Sequence, residues 1–300
     1  LGIPGFHFSD GPRGVVVGEA TAFPVSMARG ATFDPELEAR VGDAIGKELR
    51  AVGADLYGGI CVNLLRHPAW GRAQETYGED PHHVGEMGAS LTSGAQRHVM
   101  ATLKHFALNS MENARFGVDV SIDERALHEV YLPHFKRIID EGVACVMTAY
   151  NSVNGEWCGE NTALISDILR DEWGFAGFVI SDWIFGLRDG VKSLQAGLDV
   201  EMPYRMIRNA PITSALAEGL ITEELVGSAV ARTLTTMLRF NVGKLPVSDR
   251  SVVLCDEHLA LSQEVAEKSM VLLKNETVNG AALLPLNFAA GSTIGVFGRL

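Results

Sequence analysis

Ala144-Cys145-Val146-Met147-Thr148-Ala149-Tyr150, the stretch Asn161–Trp173, and Phe178-Val179-Ile180-Ser181 together decide the fold. The first and last are short, near-continuous apolar runs, the pattern of strands buried on both faces in a parallel sheet. The middle stretch sets Leu164, Ile165, Ile168 and Leu169 on one helical face, and Gly174 stops it. Strand, helix, strand is a βαβ unit. Outward from this unit, further apolar runs lie at Gly5–Ser9, Cys61–Leu65, Met100–Phe106 and Leu198–Met202. Helical patterns separate them. Asp34-Pro35 is an N-cap with Pro at the first helical position, Leu37, Val41, Ile45 and Leu49 repeat every four residues, and Gly53 follows as a stop. Ser121–Gly142 carries Asp123 and Glu124 near its start, and Thr222–Phe240 is amphipathic. No GxGxxG follows a strand, so a dinucleotide-binding fold lacks its main support. The alternation predicts the α/β class, as a (β/α)8 TIM-like barrel.

The barrel is expected over residues 1–245, a linker over 246–255, and the truncated beginning of a second domain, an α/β sandwich, over 256–300. Pro246 to Ser251 carries the boundary composition; a helix over Asp256–Lys274 and a buried strand over Thr293–Phe297 come after it. The 300 residues suit one barrel of roughly 250 residues plus part of another domain. The net charge is −12 with no Lys/Arg cluster, which argues against nucleic acid or an anionic membrane as partner. No apolar stretch reaches the ~18 residues of a membrane span. Cys61, Cys145, Cys158 and Cys255 show no CxxC spacing, so neither a zinc site nor a disulfide framework is expected. The sequence starts at Leu1 without Met and stops at Leu300 inside an apolar run, so both ends read as cut and the compartment stays open; a homo-oligomer is compatible with it.

Catalytic groups in a barrel sit at the C-terminal ends of strands. All six runs end in polar groups: Ser9-Asp10-Gly11; Arg66-His67, with Arg72 and Glu75 just after; Lys104-His105; Tyr150-Asn151; Ser181-Asp182-Trp183; and Glu201. Carboxylates, Arg, Lys, His and an aromatic are what a polyhydroxylated sugar requires. Each residue also has a plainer reading. Asp10 before Gly11-Pro12 fits a turn, Lys104-His105 a buried ion pair with a carboxylate, and Asp182 the cap of a following helix. Trp183 and Met147 fit a core, Glu75 suits the partner of an arginine better than a catalyst, and His82-His83 after Asp80-Pro81 reads as surface loop. Lys104 at a strand end also fits a Schiff-base aldolase.

The motifs resemble glycoside hydrolase family 3. Leu1-Gly2-Ile3-Pro4 into Asp10-Gly11-Pro12, Trp70-Gly71-Arg72 through Glu75, and Gly78-Glu79-Asp80-Pro81 are similar to the family's first strand and arginine loop. Lys104-His105-Phe106, Met147-Thr148-Ala149-Tyr150-Asn151 with Asn154-Gly155, Phe178 through Trp183, and Ala196-Gly197-Leu198-Asp199 to Glu201-Met202-Pro203 continue the likeness, and Ser269 to Glu276 resembles the helix opening the second domain. The resemblance implies a retaining, exo-acting β-glycosidase of the β-glucosidase type, with Asp182 as the nucleophile that forms a glycosyl-enzyme. It implies that Asp10, Arg72, Lys104, His105 and Tyr150 hold the terminal sugar, that Arg115 serves a further subsite, and that Trp183 and Met147 line the pocket. Arg66 and Glu201 are carried as additional candidates. Phe106 is followed by Ala107-Leu108-Asn109, not the Pro-Gly-His-Gly loop of the family's N-acetylglucosaminidases. Ile184-Phe185 stand where many members have small residues, which narrows the pocket or changes the next subsite.

A carbohydrate substrate is thus expected, with no cofactor and no metal. A retaining mechanism needs two carboxyl groups about 5–5.5 Å apart. In this branch the acid/base is a glutamate of the second domain, which places it beyond these residues; alone they are expected to act poorly on unactivated glycosides. Lys104 and Arg72 are expected to favour the ionised form of Asp182. Besides the aldolase, a catalytically impaired sugar-binding fragment is the rival reading.

Overall fold

The computed structural model describes residues 2–244, 246, 249–278 and 280–298. The chain opens with β1 (Phe8–Ser9), α1 (Ser26–Gly30), α2 (Pro35–Val52), β2 (Leu56–Cys61), α3 (Pro81–Ala95) and β3 (Met100–Phe106). Next come β4 (Asp119–Val120), α4 (Glu124–Ala126), α5 (Pro133–Asp140), β5 (Cys145–Thr148), β6 (Ser152–Val153), β7 (Glu156–Trp157) and β8 (Phe178–Ile180). Helices α6 (Gly190–Gln195), α7 (Asn209–Ala217), α8 (Glu223–Arg239) and α9 (Asp256–Lys268) follow, and then the hairpin β9 (Thr277–Val278) and β10 (Ala281–Ala282).

The central sheet is parallel in the order β1-β2-β3-β5-β8, and a single bridge from Ile180 to Val200 adds a sixth position. This is the TIM-like α/β architecture, with six strand positions among the described residues against eight in an ideal barrel. Alternate strand residues face opposite ways. Leu56, Met100, Cys145, Met147, Phe178 and Ile180 form an inner cluster with Met202 and Met237, against which Leu234 and Phe240 of the α8 region pack. Tyr57, Ala101, Leu103, Val146 and Val179 face the outer core under the helices. Near-continuous hydrophobicity follows from burial on both faces.

β2 begins at Leu56 and ends at Cys61, five residues ahead of the expected start and four short of the expected end. Gly58 and Gly59 weaken the strand signature, yet a Cβ at Gly58 would meet the Phe8 ring at 2.2 Å, so the close approach of β1 requires glycine there. The expected loop at His82-His83 is the first turn of α3: Asp80 accepts from the His83 N–H (2.7 Å) and Pro81 starts the helix, repeating the Asp34-Pro35 device that opens α2. Pro133 interrupts Ser121–Gly142, leaving α4, a π-helical turn over Leu127–Tyr131, and α5. Asn161–Trp173 is π-helical over Ala163–Glu172.

Helix α9 stops at Lys268, six residues early, because Met270, Val271, Leu272 and Leu273 bury no face. Thr293–Phe297 is not a buried strand: Ile294, Val296 and Phe297 are exposed, and no strand pairs with them among the described residues. Helix α9 itself rests on α2, and its Leu261 and Val265 join the outer core. A carboxylate on α2 fastens it. Glu48 accepts from the Thr21 N–H (2.9 Å) and hydroxyl (2.6 Å), from the Leu254 N–H (3.2 Å), and pairs with His258 Nδ1 (2.8 Å).

Burial alone would raise the Glu48 carboxyl, but these donors outweigh it and hold it below its usual range. A lowered carboxyl contributes stability above its unfolded pKa, about 4.3, and loses it as pH falls through the lower folded value. Glu48→Ala should therefore cost about 3 kcal/mol at pH 7, read from urea unfolding at constant slope, with the deficit shrinking in acid. A deficit independent of pH would show that packing, not the charge, holds the helix.

Candidate active site

The site is built where β1, β3, β5 and β8 end. Lys104, the fifth residue of β3, has a side chain only 2% exposed. A lone ammonium out of water is costly, and Asp10 Oδ1 accepts its hydrogen bond at 2.5 Å. Asp10 also accepts from the Gly11 N–H (2.9 Å), so the turn after β1 serves the ion pair as well. Burial pushes the Asp10 carboxyl up, Lys104 and Gly11 pull it down, and the net is below the ordinary range. For Lys104, burial disfavours the ammonium, while the Cys61 sulfur and Asp10 beside it reverse that and leave the amine above its usual value.

Arg72 enters from the loop after β2 with its fork on Glu75: Nε to Oε1 at 3.1 Å and Nη2 to Oε2 at 2.6 Å. Cys61 Sγ lies 3.4 Å from the same Oε2. Arg72 Nη1 meets His105 Nε2 at 3.0 Å. Arginine has only donors, so Nε2 is the acceptor and the imidazole is neutral. Burial, then the charges of Arg72, Lys104 and Arg115, holds His105 well below its usual pKa. The backbone of His105 is gripped on both sides by buried Asn63, whose amide donates to the His105 carbonyl and accepts from its N–H, each at 2.9 Å.

Asp182 follows β8 and is 6% exposed. Its Oδ1 accepts from the Trp183 N–H (2.7 Å). Its Oδ2 accepts no hydrogen bond among the described residues and lies 3.7 Å from His105 Nε2, which is already engaged by Arg72. The Tyr150 hydroxyl donates to the Trp183 carbonyl (2.8 Å), and the Phe8 and Trp183 rings stand 4.6 Å apart. Arg115 donates to Glu112 (3.0 Å) and lies 4.7 Å from the Tyr150 ring centre; Trp70 Nε1 takes the other Glu112 oxygen (3.0 Å).

A cavity of about 400 Å³ is lined by Phe8, Asp10, Arg72, Lys104, His105, Arg115, Met147, Tyr150, Asp182 and Trp183. Nine of these were candidates in the sequence; Phe8 was not, because an aromatic inside the first apolar run reads as core. Glu112 and Asn63 were also missed, since each acts on another side chain and carries no strand-end signature. Two candidates lie elsewhere. Arg66, five residues past the end of β2, stands over the Tyr131 ring (5.3 Å) on a separate cleft of about 880 Å³. Glu201 spends its carboxylate on the N–H groups of Met206, Ile207 and Arg208, at 2.6 to 3.1 Å, and stabilises a loop. The described residues contain no cluster able to hold a metal ion, and no helix among them is long and apolar enough to cross a membrane.

The sequence profile of the glycosyl hydrolase family 3 N terminal domain matches residues 1–236. The chain belongs to glycosyl hydrolase family 3. It is 37% identical over 292 residues to thermostable beta-glucosidase B of Acetivibrio thermocellus, covering 92% of this chain and 38% of that relative. It is 35% identical to an exo-alpha-(1->6)-L-arabinopyranosidase of Bifidobacterium breve, covering 95% and 39%. Beta-glucosidase 3B of Thermotoga neapolitana, solved in complex with glucose, superposes with a TM-score of 0.88 at 35% identity, covering 95% of this chain and 42% of that one. The chain thus spans somewhat over a third of the length of the relatives it matches.

The cations were expected to favour ionised Asp182. They do pull it down, as do the Trp183 N–H and Tyr150, but burial outweighs them and the carboxyl sits above its ordinary range. An acid raised on folding costs stability once pH rises through its folded pKa, and nothing below its unfolded value, about 3.9. Asp182→Asn should therefore raise Tm at pH 7, and the gain should fade as pH approaches 4. A loss of Tm at pH 7 would contradict a net penalty for the buried charge.

Proposed function

We propose that the natural protein is a retaining, exo-acting β-glycosidase, specifically a β-glucosidase, that removes terminal β-linked sugars through a covalent glycosyl-enzyme on Asp182. The observation that carries this reading is the state of Asp182: one oxygen fixed by a backbone N–H, the other unengaged, on the wall of a cavity whose volume suits one pyranose. Asp10, Lys104, Arg72 and His105 supply the mixed acceptors and donors that sugar hydroxyls need. Trp183 and Phe8 offer apolar ring surface, and Met147 lines the floor. Arg115 stands where the next group of the substrate would lie.

In the step, the Asp182 carboxylate attacks the anomeric carbon as the bond to the leaving oxygen breaks. That oxygen takes a proton from an acid, which then activates water to release the sugar. The cavity holds no second free carboxyl among the described residues, because Asp10 is committed to Lys104 and Glu75 to Arg72. The acid/base is accordingly assigned to a carboxyl outside these residues. The same reading divides the chain into a barrel over 1–245, a linker over 246–255 and the start of a second domain over 256–300, supported by the exposed apolar side chains between 270 and 297, although α9 leans on the barrel. A Schiff base at Lys104 is not favoured, because an amine held above its usual pKa beside a carboxylate is a poor nucleophile.

Incubation of the natural protein with an activated 2-deoxy-2-fluoro-glucoside should label Asp182, located by peptide mass mapping. Asp182→Ala should lower kcat/KM about 10⁴-fold, and Asp182→Gly with azide should recover glycosyl transfer from an activated substrate. A label on any other carboxylate would overturn the assignment.

A further inference from the structure

The cleft of about 880 Å³ that Arg66 borders lies on the loops following β2, β3 and β5, the same end of the sheet as the sugar cavity. Leu108, Val118, Val120, Ile122, Ala126 and Tyr131 make its wall apolar. Three features of that wall are incomplete. Asn109 is 1% exposed, and neither its amide oxygen nor its amide nitrogen has a hydrogen-bond partner among the described residues. A buried amide without partners is costly. Arg66, over the Tyr131 ring, makes no ion pair or hydrogen bond among the described residues, and Asp123 on the same wall is engaged by the Ala126 N–H (2.9 Å). Strand β4 is the edge of the small sheet β4-β6-β7. The Val118 and Val120 carbonyls accept from the Ser152 and Asn154 N–H groups, each at 3.0 Å. By alternation, the N–H and C=O of Asp119 and Ser121 point to the open side, where they pair with nothing among the described residues.

We propose that this cleft is the dock for an extended segment of the natural protein lying outside residues 1–300. The segment adds a strand to the open edge of β4, gives Asn109 a peptide backbone to hold, and pairs a carboxylate with Arg66. An open strand edge is completed by polypeptide. The amide of Asn109, an acceptor beside a two-proton donor, matches the N–H and C=O of a single residue. This chain uses that device three times already: Asn63 brackets the backbone of His105, Asn154 that of Ile122, and Asn275 that of Leu284. The apolar wall receives the side chains on one face of the added strand. Tethering identifies the source. The relatives are much longer than the stretch they share with this chain, so further polypeptide of the natural protein is present here at high effective concentration. The acid/base, assigned to a carboxyl outside these residues, also requires such polypeptide to reach the neighbouring cavity. That last step rests on the glycosidase reading; the open edge, Asn109 and Arg66 do not.

The test uses the natural protein with the photo-reactive substitution Ser121→p-benzoylphenylalanine, at an exposed position of the open edge. Cross-linked peptides are mapped by mass spectrometry, and mixing isotopically heavy with ordinary protein separates links within one chain from links between copies. The expected link joins Ser121 to a peptide of the same chain outside residues 1–300. In the unsubstituted protein the Asp119 and Ser121 amides should exchange hydrogen slowly, and Arg66→Glu should speed that exchange about tenfold. Arg66 faces solvent, so the charge reversal is expected to leave the fold in place; should thermal melting show otherwise, Arg66→Gln carries the exchange measurement. Links found only between copies would assign the edge to a second copy and overturn the inference. Links confined to residues 1–300, with both amides exchanging as in an open chain, would overturn it too. So would exchange unchanged within about twofold in the Arg66 variant. None of these readouts involves turnover: their failure leaves the glycosidase reading intact, and failure to label Asp182 leaves the dock intact.

Discussion

An ammonium almost entirely out of water at the end of β3 is the constraint on which the rest of the site depends. Lys104 can stay charged there only beside a carboxylate, so the chain after β1 must turn to present Asp10. Two charges about 4 Å apart near a protein surface attract by roughly 4 kcal/mol, comparable to the several kcal/mol of desolvation each ion suffers. The pair is therefore near balance and demands good geometry. The parallel register sets the distance to be bridged: Cys61 pairs with Lys104, whereas Ser9 at the end of β1 pairs with Tyr57, so the turn after Ser9 must carry Asp10 to the Lys104 ammonium. Glycine at 58 is part of the same requirement, because it lets Phe8 close onto β2.

The buried carboxyl at Asp182 behaves differently from Asp10 because its neighbouring cations are already spent. Lys104 lies on Asp10 and Arg72 on Glu75. What reaches Asp182 is the remainder of each field, and burial outweighs it. Asp10, half exposed and in direct contact with Lys104, falls on the other side of the balance. Counting cations near a carboxylate is therefore a poor guide to its ionisation; what matters is whether each cation has another partner.

This marks the boundary of what could be read from the residues in order. Parallel strands were legible at Met100–Phe106 and Phe178–Ile180 because burial on both faces leaves an unbroken apolar run. The second strand was displaced because Gly58 serves a neighbour on another strand that no local pattern announces: the ring of Phe8. His82-His83 illustrates the opposite case, since Asp80-Pro81 is the same local signal as Asp34-Pro35 and needed no tertiary knowledge. Within the site, residues that end strands were visible as polar interruptions of apolar runs. Arg66 and Glu201 share that signature yet lie elsewhere, one because the strand before it ends early, the other because three backbone N–H groups claim its carboxylate. Asn63 and Glu112 act through His105 and Arg115, and a partner's partner leaves no trace in linear order.

The free oxygen of Asp182 is itself the end of a chain of commitments. Glu75 aligns Arg72 by a two-pronged contact, and Arg72 then donates to His105 Nε2. That nitrogen, already accepting, has no proton to offer Asp182. Asn63 keeps the His105 backbone from shifting to escape this arrangement. Were the imidazole protonated, it would stand 3.7 Å from Oδ2 as an ion-pair partner and draw charge from the carboxylate. The arginine loop thus does more than supply a positive charge: by occupying the histidine, it leaves the buried Oδ2 of Asp182 without a hydrogen-bond donor from the imidazole.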